Sequence, residues 1–334
     1  NSLVEESEVY SYHRHGIILR GGSSNNVVRR CYVNSRNYTD IGGGYVTVQM
    51  TTGDAAFTNY PGSNNIIENN IAEVTYIGFE TIAASQSSTN NRFLGNIARS
   101  VSVGLHFTPQ EPFTGHYVTG NTAENMVVIG AANVGIYARS GMNNRCDNCT
   151  VIDGTTTGIM ADQVSSAPAS SFSFYSTNSL AANNMNGSGF IMKNQGSFGL
   201  EYPNSYRNKT LFSPDASSSQ ITNERMIDPL MGSCKVFLPP TSPLKKVGKS
   251  GKDIGANVLF RYANGALTTT PLWDPRTGAF PCGAIVSGVN NVNGSSCFDV
   301  HQRLNVQTNG CLLPAGVGQS EELSAPANLR IVTP

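Results

Sequence analysis

The chain has 334 residues, and charged residues make up only 13% of it, about half of the usual quarter. Lys and Arg number 22, as do Asp and Glu, so the chain has no net charge to attract nucleic acid or another polyanion. The sequence contains no apolar run long enough to span a membrane. We therefore expect neither a nucleic-acid partner nor a membrane span, and this composition is typical of a secreted or cell-surface β-protein.

Residues 1–33 predict about one coil of a repeat and the start of another. The segments that begin at Asn1 and Asn25 share their apolar pattern with a later segment, Asn64–Ala72. The chain thus starts inside a repeat, and a solenoid normally protects its open end. We expect that an N-terminal cap is missing from this sequence, and that the exposed coil could mediate end-to-end self-assembly.

The same region carries an unusual concentration of cationic and titratable side chains. Two His and two Arg residues lie within eight positions, at His13, Arg14, His15 and Arg20. In a chain with so few charges, His13, His15 and Arg20 predict a substrate-binding site for a sugar carboxylate. The alternative is a solvated loop and strand rim.

Residues 34–63 interrupt the repeat. Matching positions at Cys31 and Asn70 are 39 residues apart, whereas the next spacing is 26. Insertions in solenoids protrude on one face and often form the wall of a binding groove. We expect this insertion to border the functional face.

Residues 64–196 form the regular body of the repeat. Asn70 and Asn96 each precede a Gly by eight residues, and the two Asn residues are 26 positions apart. Each copy contains short alternating runs of β-branched or aromatic residues, separated by Gly, Asn and Ser, which predicts strands joined by tight turns. Paired Asn residues favour turns in the left-handed backbone conformation. A period of this size predicts a parallel β-helix, in which Ile71, Ile97 and Cys149 should stack.

These Asn-Asn-x-x-x-x-Asn-x-Ala and Gly-apolar-x-apolar repeats resemble the right-handed parallel β-helix superfamily, the pectate-lyase-like fold, over residues 1–196. The resemblance implies an all-β right-handed solenoid. It also implies a secreted carbohydrate-active protein, since relatives include polysaccharide lyases, glycoside hydrolases, epimerases, phage tailspikes and adhesins. The partner would be a polysaccharide. Because one fold serves many functions, the activity depends on the residues of the site.

Beyond residue 196 the repeat fades. We predict that residues 197–320 form an irregular, Cys-containing extension packed along or over the end of the helix. Residues 321–334 resemble the start of a fibronectin-type-III module and predict a linker. The pairing of the seven Cys residues stays open; Cys282 with Cys297 is one candidate. Cys146 and Cys149 have metal or redox spacing, but repeat positions explain them better.

Alternation along the strands predicts a ladder of outward side chains. In Gly-apolar-x-apolar the two apolar residues point into the core, so the residue between them points to solvent. Successive coils then place Glu80, His106, Tyr137 and Met160 in one column, and Ile82, Thr108, Arg139 and Asp162 in the next. A rival register through residues 130–132 would remove Tyr137 and Arg139 from this patch. The alternative for the whole patch is an ordinary solvated surface.

These groups suit eliminative cleavage of an acidic glycan. Arg139 could neutralise the uronate carboxylate, and His106 and Tyr137 could serve as base and acid, with Glu80 beside them. Hydrolysis would instead require two carboxylates facing the bond, for which Glu80 and Asp162 are the candidates. The resemblance makes Ca²⁺ a candidate cofactor, with nearby carboxylates at Asp40, Asp54 and Glu80.

Two functions of different classes therefore remain open. The first is an extracellular polysaccharide lyase or related enzyme on acidic glycan, with catalytic residues His106, Tyr137, Arg139 and Glu80 and further contacts from His13, His15, Arg20 and Asp162. The second is a structural or adhesive surface protein without catalysis, built as a rod. Low charge, abundant Asn, Ser and Thr, the bare first coil and the expected onward linker all suit this second function.

Overall fold

A computed structural model shows that the protein is an all-β parallel solenoid. The structure describes residues 1–10, 12, 14–35, 55–110, 115–139, 141–163, 172–193, 196–214, 219–232 and 235–273. Within these residues the chain forms 29 strands and one short 3₁₀ turn, Lys249–Gly251. The parallel solenoid predicted from the repeat is confirmed.

Successive coils contribute strands to three parallel sheets, which we call sheets A, B and C. Sheet A contains β1 (Leu3–Glu5), β4 (Val27–Arg29), β7 (Ile66–Glu68), β11 (Arg92–Leu94), β15 (Thr122–Glu124), β18 (Gly141–Asp147), β21 (Phe172–Thr177), β24 (Ser197–Glu201) and β27 (Ser219–Thr222). Sheet B contains β2 (Glu8–Tyr10), β5 (Tyr32–Asn34), β8 (Ile71–Glu73), β12 (Ile97–Arg99), β16 (Val127–Ile129), β19 (Thr150–Ile152), β22 (Leu180–Ala182) and β25 (Asn204–Tyr206).

Sheet C contains β3 (His15–Arg20), β6 (Ala55–Tyr60), β9 (Ile77–Ala83), β13 (Val103–Pro109), β17 (Val134–Ala138), β20 (Thr157–Asp162), β23 (Ser188–Lys193) and β26 (Thr210–Pro214). Two short strands, β10 (Ser88–Thr89) and β14 (Val118–Thr119), pair in parallel. An antiparallel hairpin, β28 (Phe260–Ala263) and β29 (Ala266–Pro271), lies outside the coils. Sheet C has the longest strands of the early coils, which makes its outer face the broadest.

The register confirms most of the predicted repeat. Ile71 pairs with Ile97 and with Tyr32, as the sequence alignment requires. The predicted stacking of Cys149 on these residues is wrong by one position, because Thr150 occupies that place in sheet B. Cys149 instead lies in the preceding turn, at the position of Asn70 and Asn96.

The left-handed turns predicted at paired Asn residues are present. The first Asn of each described pair has a positive φ, from 53° to 59°, at Asn25, Asn64, Asn69, Asn90, Asn143 and Asn183. The second Asn points inward and bonds to the next coil: the backbone N–H of Asn65 donates to Asn91 Oδ1 at 3.0 Å, and that of Asn91 donates to Asn121 Oδ1 at 2.9 Å. The Asn ladder therefore satisfies backbone groups that the turns leave without strand partners.

Inward side chains of the three sheets form a continuous apolar core. Phe57 and Phe79 stack in parallel on adjacent coils, with ring centroids 4.9 Å apart. Leu105, Ile136 and Ile159 continue this column, and all are fully buried. Each coil thus buries its apolar face against the coils on either side.

The predicted boundary at residue 196 is wrong, because the coils continue through β24, β25, β26 and β27 to Thr222. Residues 227–232 and 235–273, which we call the strap, then run along sheet B. Strap residues such as Phe237, Leu238 and Val258 are fully buried against the outward side chains of that sheet. The Cys-containing part of the predicted extension, residues 274–320, and the predicted linker, residues 321–334, lie outside the described residues.

A second row of left-handed Asn residues holds the strap. Asn125 Nδ2 donates to the carbonyl of Asn257 at 2.9 Å, and Asn148 Nδ2 donates to that of Asp253 at 2.7 Å. The backbone N–H of Lys249 donates to Asn178 Oδ1 at 2.7 Å. Because these Asn side chains point outward at successive turns between sheets A and B, the strap lies parallel to the solenoid axis.

The described cysteines occupy interior positions of the coils. Cys146 and Cys149 are fully buried, and their sulfur atoms are in contact, as in a disulfide. Cys31 is buried and free, and burial raises the pKa of its thiol to about 11. Cys234, Cys282, Cys297 and Cys311 lie outside the described residues, so the pairing of Cys282 with Cys297 stays a prediction.

Candidate functional site

The outer face of sheet C carries the predicted ladder. His106 pairs with Glu80 on one side and with Tyr137 on the other. Gly104 and Gly135 are also in register, since a Cβ added to Gly104 would collide with the carbonyl oxygen of Gly135. The rival register through residues 130–132 is therefore excluded.

The side chains of Glu80, His106 and Tyr137 lie one after another on neighbouring strands of this face. Glu80 Oε1 lies 3.3 Å from His106 Nδ1. The imidazole ring stacks on the Tyr137 ring, with centroids 5.1 Å apart and an interplanar angle of 14°. A carboxylate, an imidazole and a phenol thus form one column of contacts, which we call the sheet C cluster.

Arg139 and Asp162 complete the cluster from the neighbouring column. The guanidinium carbon of Arg139 lies 5.6 Å from the centroid of the Tyr137 ring. The Tyr137 hydroxyl donates to Asp162 Oδ2 at 3.4 Å, a long hydrogen bond. The predicted grouping of Glu80, His106, Tyr137, Arg139 and Asp162 is therefore observed.

The cluster is more buried than the sequence predicts. The His106 side chain is only 13% exposed, and that of Glu80 is 3% exposed. Strand neighbours about 4.8 Å away cover much of each side chain, which alternation alone does not reveal. Glu80 Oε2 and both ring nitrogens of His106 are buried and make no hydrogen bond among the described residues, so the 3.3 Å approach of Glu80 to Nδ1 is a charge contact without hydrogen-bond geometry. Three buried polar atoms without hydrogen bonds at one site are rare in proteins and are typical of functional sites.

The protonation state of Tyr137 suits a proton donor. Burial is the main cause that raises the pKa of its phenol, and the Asp162 carboxylate raises it further. The Arg139 guanidinium acts in the opposite direction and is the second-largest cause. The net effect is that Tyr137 keeps its proton at neutral pH.

The predicted substrate-binding residues at the first coil are not part of the cluster. His15 Nδ1 lies 2.9 Å from Thr58 Oγ1, and Thr58 pairs with Glu80. Arg20 is exposed on the same strand as His15, which is three strands from that of His106. Their role in binding stays a prediction, and His13 lies outside the described residues.

Thr58 is a residue of this face that the sequence pattern does not identify. It is buried in the outward column beside Glu80 and contacts His15. Its strand has Ala56 where the later strands have Gly, so the Gly-apolar-x-apolar pattern does not detect it. The insertion before this strand also shifts the spacing of the repeat. A search that accepted a small residue such as Ala56 in place of the glycine would have identified Thr58.

The described residues do not fit a calcium site. Among them, no three His, Cys, Asp or Glu side chains come together as a metal-binding group. Ca²⁺ takes about six to eight oxygen ligands, whereas Glu80 supplies one carboxylate here. Asp40 and Asp54 lie outside the described residues. No helix in the described part of the chain is long and apolar enough to cross a bilayer.

Comparisons with known proteins support the fold. No family model matches the chain, and no curated protein is significantly similar to it. A similar solved structure is the catalytic unit of a thermostable GH87 α-1,3-glucanase from Streptomyces thermodiastaticus strain HF3-3, with a TM-score of 0.51 and 15% identity. The match covers 68% of this chain and 45% of the glucanase chain, so the chain spans less than half of that structure. This protein therefore shares the parallel β-helix fold with a glycoside hydrolase.

Proposed function

We propose that this protein is a carbohydrate-active enzyme that cleaves an acidic polysaccharide by elimination at the sheet C cluster. The observation that supports this most is the unbroken contact from Glu80 through His106 to Tyr137, with Arg139 beside the phenol. The likeness to a glucanase supports a carbohydrate role through the fold alone. The residues themselves supply the argument for the reaction.

Elimination needs charge neutralisation, a base and an acid. Arg139 would bind the uronate carboxylate, which makes the C5 proton easier to remove. His106 would take that proton on Nε2, while Glu80 at Nδ1 stabilises the resulting imidazolium. The C5–H electron pair would form the C4=C5 double bond as the C4–O4 bond breaks. Tyr137 would donate its proton to the departing O4, and Arg139 would stabilise the tyrosinate.

Hydrolysis fits the geometry less well. Glu80 and Asp162 lie on strands β9 and β20, which are three strand spacings apart in sheet C. At about 4.8 Å per spacing their backbones are roughly 14 Å apart, whereas inverting hydrolases place their carboxyl groups about 6.5–9.5 Å apart. Side chains could shorten this separation, but Tyr137 and His106 occupy the space between them.

We also propose that the protein works outside the cell or on its surface. A charge-poor, Asn-rich sequence and a buried Cys146–Cys149 pair in contact suit an oxidising compartment. An extracellular location would also give the protein access to a polymeric glycan.

The test is an activity assay on a panel of polysaccharides. Wild-type protein is incubated with pectate, alginate, glycosaminoglycans and neutral α-1,3-glucan, and the ultraviolet absorbance of C4=C5 products and the number of new reducing ends are measured. We expect unsaturated products from at least one acidic glycan. New reducing ends without unsaturation would indicate hydrolysis instead, and no product from any polymer would refute the enzymatic proposal.

His106→Ala identifies the site. We expect this variant to lose the unsaturated products, because the base is removed, and to retain the fold. The matched control is His116→Ala, which changes a histidine outside sheet C. Equal activity in wild type and His106→Ala would place the reaction elsewhere. Thermal unfolding of both variants checks that the fold is intact.

A further inference from the structure

The outer face of sheet A has a surface tyrosine beside a cavity. Tyr175 on β21 is 37% exposed and pairs with Arg145 on one side and Gly199 on the other. Its ring packs on Gly199, since a Cβ added there would lie 2.8 Å from Tyr175 Cδ1. The glycine thus leaves the space in which the ring rests. Tyrosine in such a position offers an apolar ring surface and a polar tip.

A cavity lined by Arg145, the strand neighbour of Tyr175, has a volume of about 220 Å³. One wall is formed by outward residues of sheet A, among them Arg145 and Asp147, and the other by the strap around Lys249 and Lys252. Tyr175 lies at the edge of the cavity and not in its wall: its strand neighbour Arg145 lines the cavity, and so does Thr177, two residues further along β21. Pockets for drug-sized ligands measure about 300–1,000 Å³, so this one suits a single sugar unit of a longer chain.

Cationic groups at the cavity remain available for a ligand. Arg145 uses Nε for the Asp147 carboxylate at 3.2 Å, which leaves its two terminal nitrogens without a protein partner among the described residues. Lys249 pairs with Glu201, whereas Lys252 is exposed and has no ion-pair partner in the described part of the chain. Glu124 lines the cavity and offers an acceptor for a sugar hydroxyl. A forked guanidinium and a free ammonium match a carboxylate or sulfate group.

We propose that this surface is a second, non-catalytic binding site for an acidic polysaccharide, in which one sugar ring stacks on Tyr175 and its acidic group binds Arg145 and Lys252. The site lies on sheet A and uses no residue of the sheet C cluster. It would hold a polymer to the protein whether or not sheet C carries out a reaction. Two sites on one chain would raise the avidity for a long glycan above that of either site.

The test is isothermal titration calorimetry with three acidic hexasaccharides, of galacturonate, of mannuronate and of sulfated chondroitin, and with neutral maltohexaose. The titrations use the His106→Ala background, so that no probe is cleaved. We expect one or more acidic probes to bind, with an affinity that falls as salt rises. Tyr175→Ala should weaken this binding about tenfold or more. Arg145→Gln should weaken it and reduce its salt dependence.

Gly199→Ala provides a second variant that alters no polar group. Its added methyl group must displace the Tyr175 ring, so binding should weaken as in Tyr175→Ala. Met185→Ala, which changes a side chain that is 61% exposed elsewhere, should leave binding unchanged. Thermal unfolding confirms that each variant folds.

Three results would overturn this inference: no acidic probe binds, neutral maltohexaose binds as tightly as the acidic probes, or Tyr175→Ala binds like its parent. The proposed enzymatic activity and the proposed second binding site can be refuted independently of each other. Absence of unsaturated products with Tyr175-dependent binding refutes elimination and supports the second site. Unsaturated products together with unchanged binding in Tyr175→Ala would support elimination and refute the second site.

Discussion

At the residue scale, the two Asn residues of a pair have different roles: the first turns the backbone, and the second hydrogen-bonds to neighbouring coils. Asn90 takes the left-handed conformation that turns the chain, with φ of 57°. Asn91, fully buried, donates from Nδ2 to the Gly62 carbonyl at 2.9 Å and to Asn121 Oδ1 at 2.8 Å. Asn serves both purposes because it tolerates left-handed backbone and carries a donor and an acceptor on a short side chain.

We predict that Asn91→Ala destabilises the protein by about 2–5 kcal/mol, since it leaves the Asn65 N–H buried without a partner and removes one of the two hydrogen bonds to the Gly62 carbonyl, the other being donated by Asn59. Chemical denaturation measures the loss of unfolding free energy. Asn90→Gly is the matched control, because glycine adopts positive φ freely, and it should cost well under about 1 kcal/mol. Equal costs at the two positions would contradict the division of tasks.

The sheet C cluster is also a residue-scale feature. Its members are predictable because a repeat with known alternation places each outward residue beside its counterpart one coil away. Their burial is not predictable in the same way. Glu80 is nearly inaccessible because the neighbouring strands, which include Thr58, lie close to it, and that depends on the packing of the folded coils.

At the element scale, the strap protects the outer face of sheet B. That face carries apolar residues such as Ile71, Ile97 and Val127, which would be exposed in a bare solenoid. Backbone groups of the strap bond to the left-handed Asn side chains, so the strap is held by both polar and apolar contacts. We infer that it contributes to the stability of every coil that it crosses.

Phe237→Ala tests this contribution. The Phe237 side chain is fully buried between the strap and sheet B, so its truncation should cost about 3–5 kcal/mol. The measurement is the midpoint of chemical unfolding together with the binding of a hydrophobic dye. Leu267→Ala, on the hairpin and 55% exposed, is the control and should change little. A small cost for Phe237→Ala would mean that the strap is only loosely attached.

The pH dependence of strap docking follows from Tyr262. This residue of β28 is buried near Gly95, and burial is the main cause that raises the pKa of its phenol. The unfolded pKa is about 10. Below that pH the phenol is protonated in both states and its full contribution to stability is present. Above it the unfolded chain loses the proton first, so stability falls as pH rises towards the folded pKa.

We therefore expect the unfolding free energy to decrease between about pH 10 and pH 11, by up to about 1.4 kcal/mol per pH unit from this group. Tyr262→Phe should show a smaller decrease over the same range. Tyr137 contributes in the same direction, so Tyr137→Phe is the companion variant. Identical pH profiles for wild type and Tyr262→Phe would show that the hairpin phenol is not buried in solution.

At the scale of the whole molecule, stability arises from contacts between neighbouring coils. Each strand of sheet C bonds only to the strands before and after it in the sheet, from β3 to β26. Unfolding of such a molecule should begin at the ends of the described solenoid, where a coil has one neighbour instead of two.

Amide hydrogen exchange tests this expectation. The backbone N–H groups of Ile97–Arg99 and of the non-proline residues in Val103–Pro109, in the centre, should exchange more slowly than those of Leu3–Glu5 and His15–Arg20 in the first described coil. Mass spectrometry of proteolytic fragments provides the readout. Uniform exchange across all coils would indicate a single cooperative unit and contradict the nearest-neighbour view.

The sequence by itself determined the features that a repeat makes local. The period gives the coil, paired Asn residues give the turns, and alternation gives the inward and outward faces, so the register of Glu80 with His106 follows from the repeat alone. The register of Tyr137 does not, because only the structure excludes the rival alignment through residues 130–132. Where one copy of the repeat lacks the Asn or Gly that marks its register, the prediction is wrong by one residue or misses a residue. The pattern places Cys149 one residue late, and it misses Thr58 because Ala56 replaces glycine.

Only the tertiary structure decided what covers each face. The strap has no period, and some of its contacts with the coils join residues more than a hundred positions apart, such as Asn125 with Asn257. The cavity beside Tyr175 exists because the strap crosses near sheet A, and the burial of Glu80 exists because neighbouring strands close around it. Such contacts depend on which surfaces pack together in the folded chain. A sequence pattern identifies the apolar and polar surfaces, but it does not specify which distant segment packs on each of them.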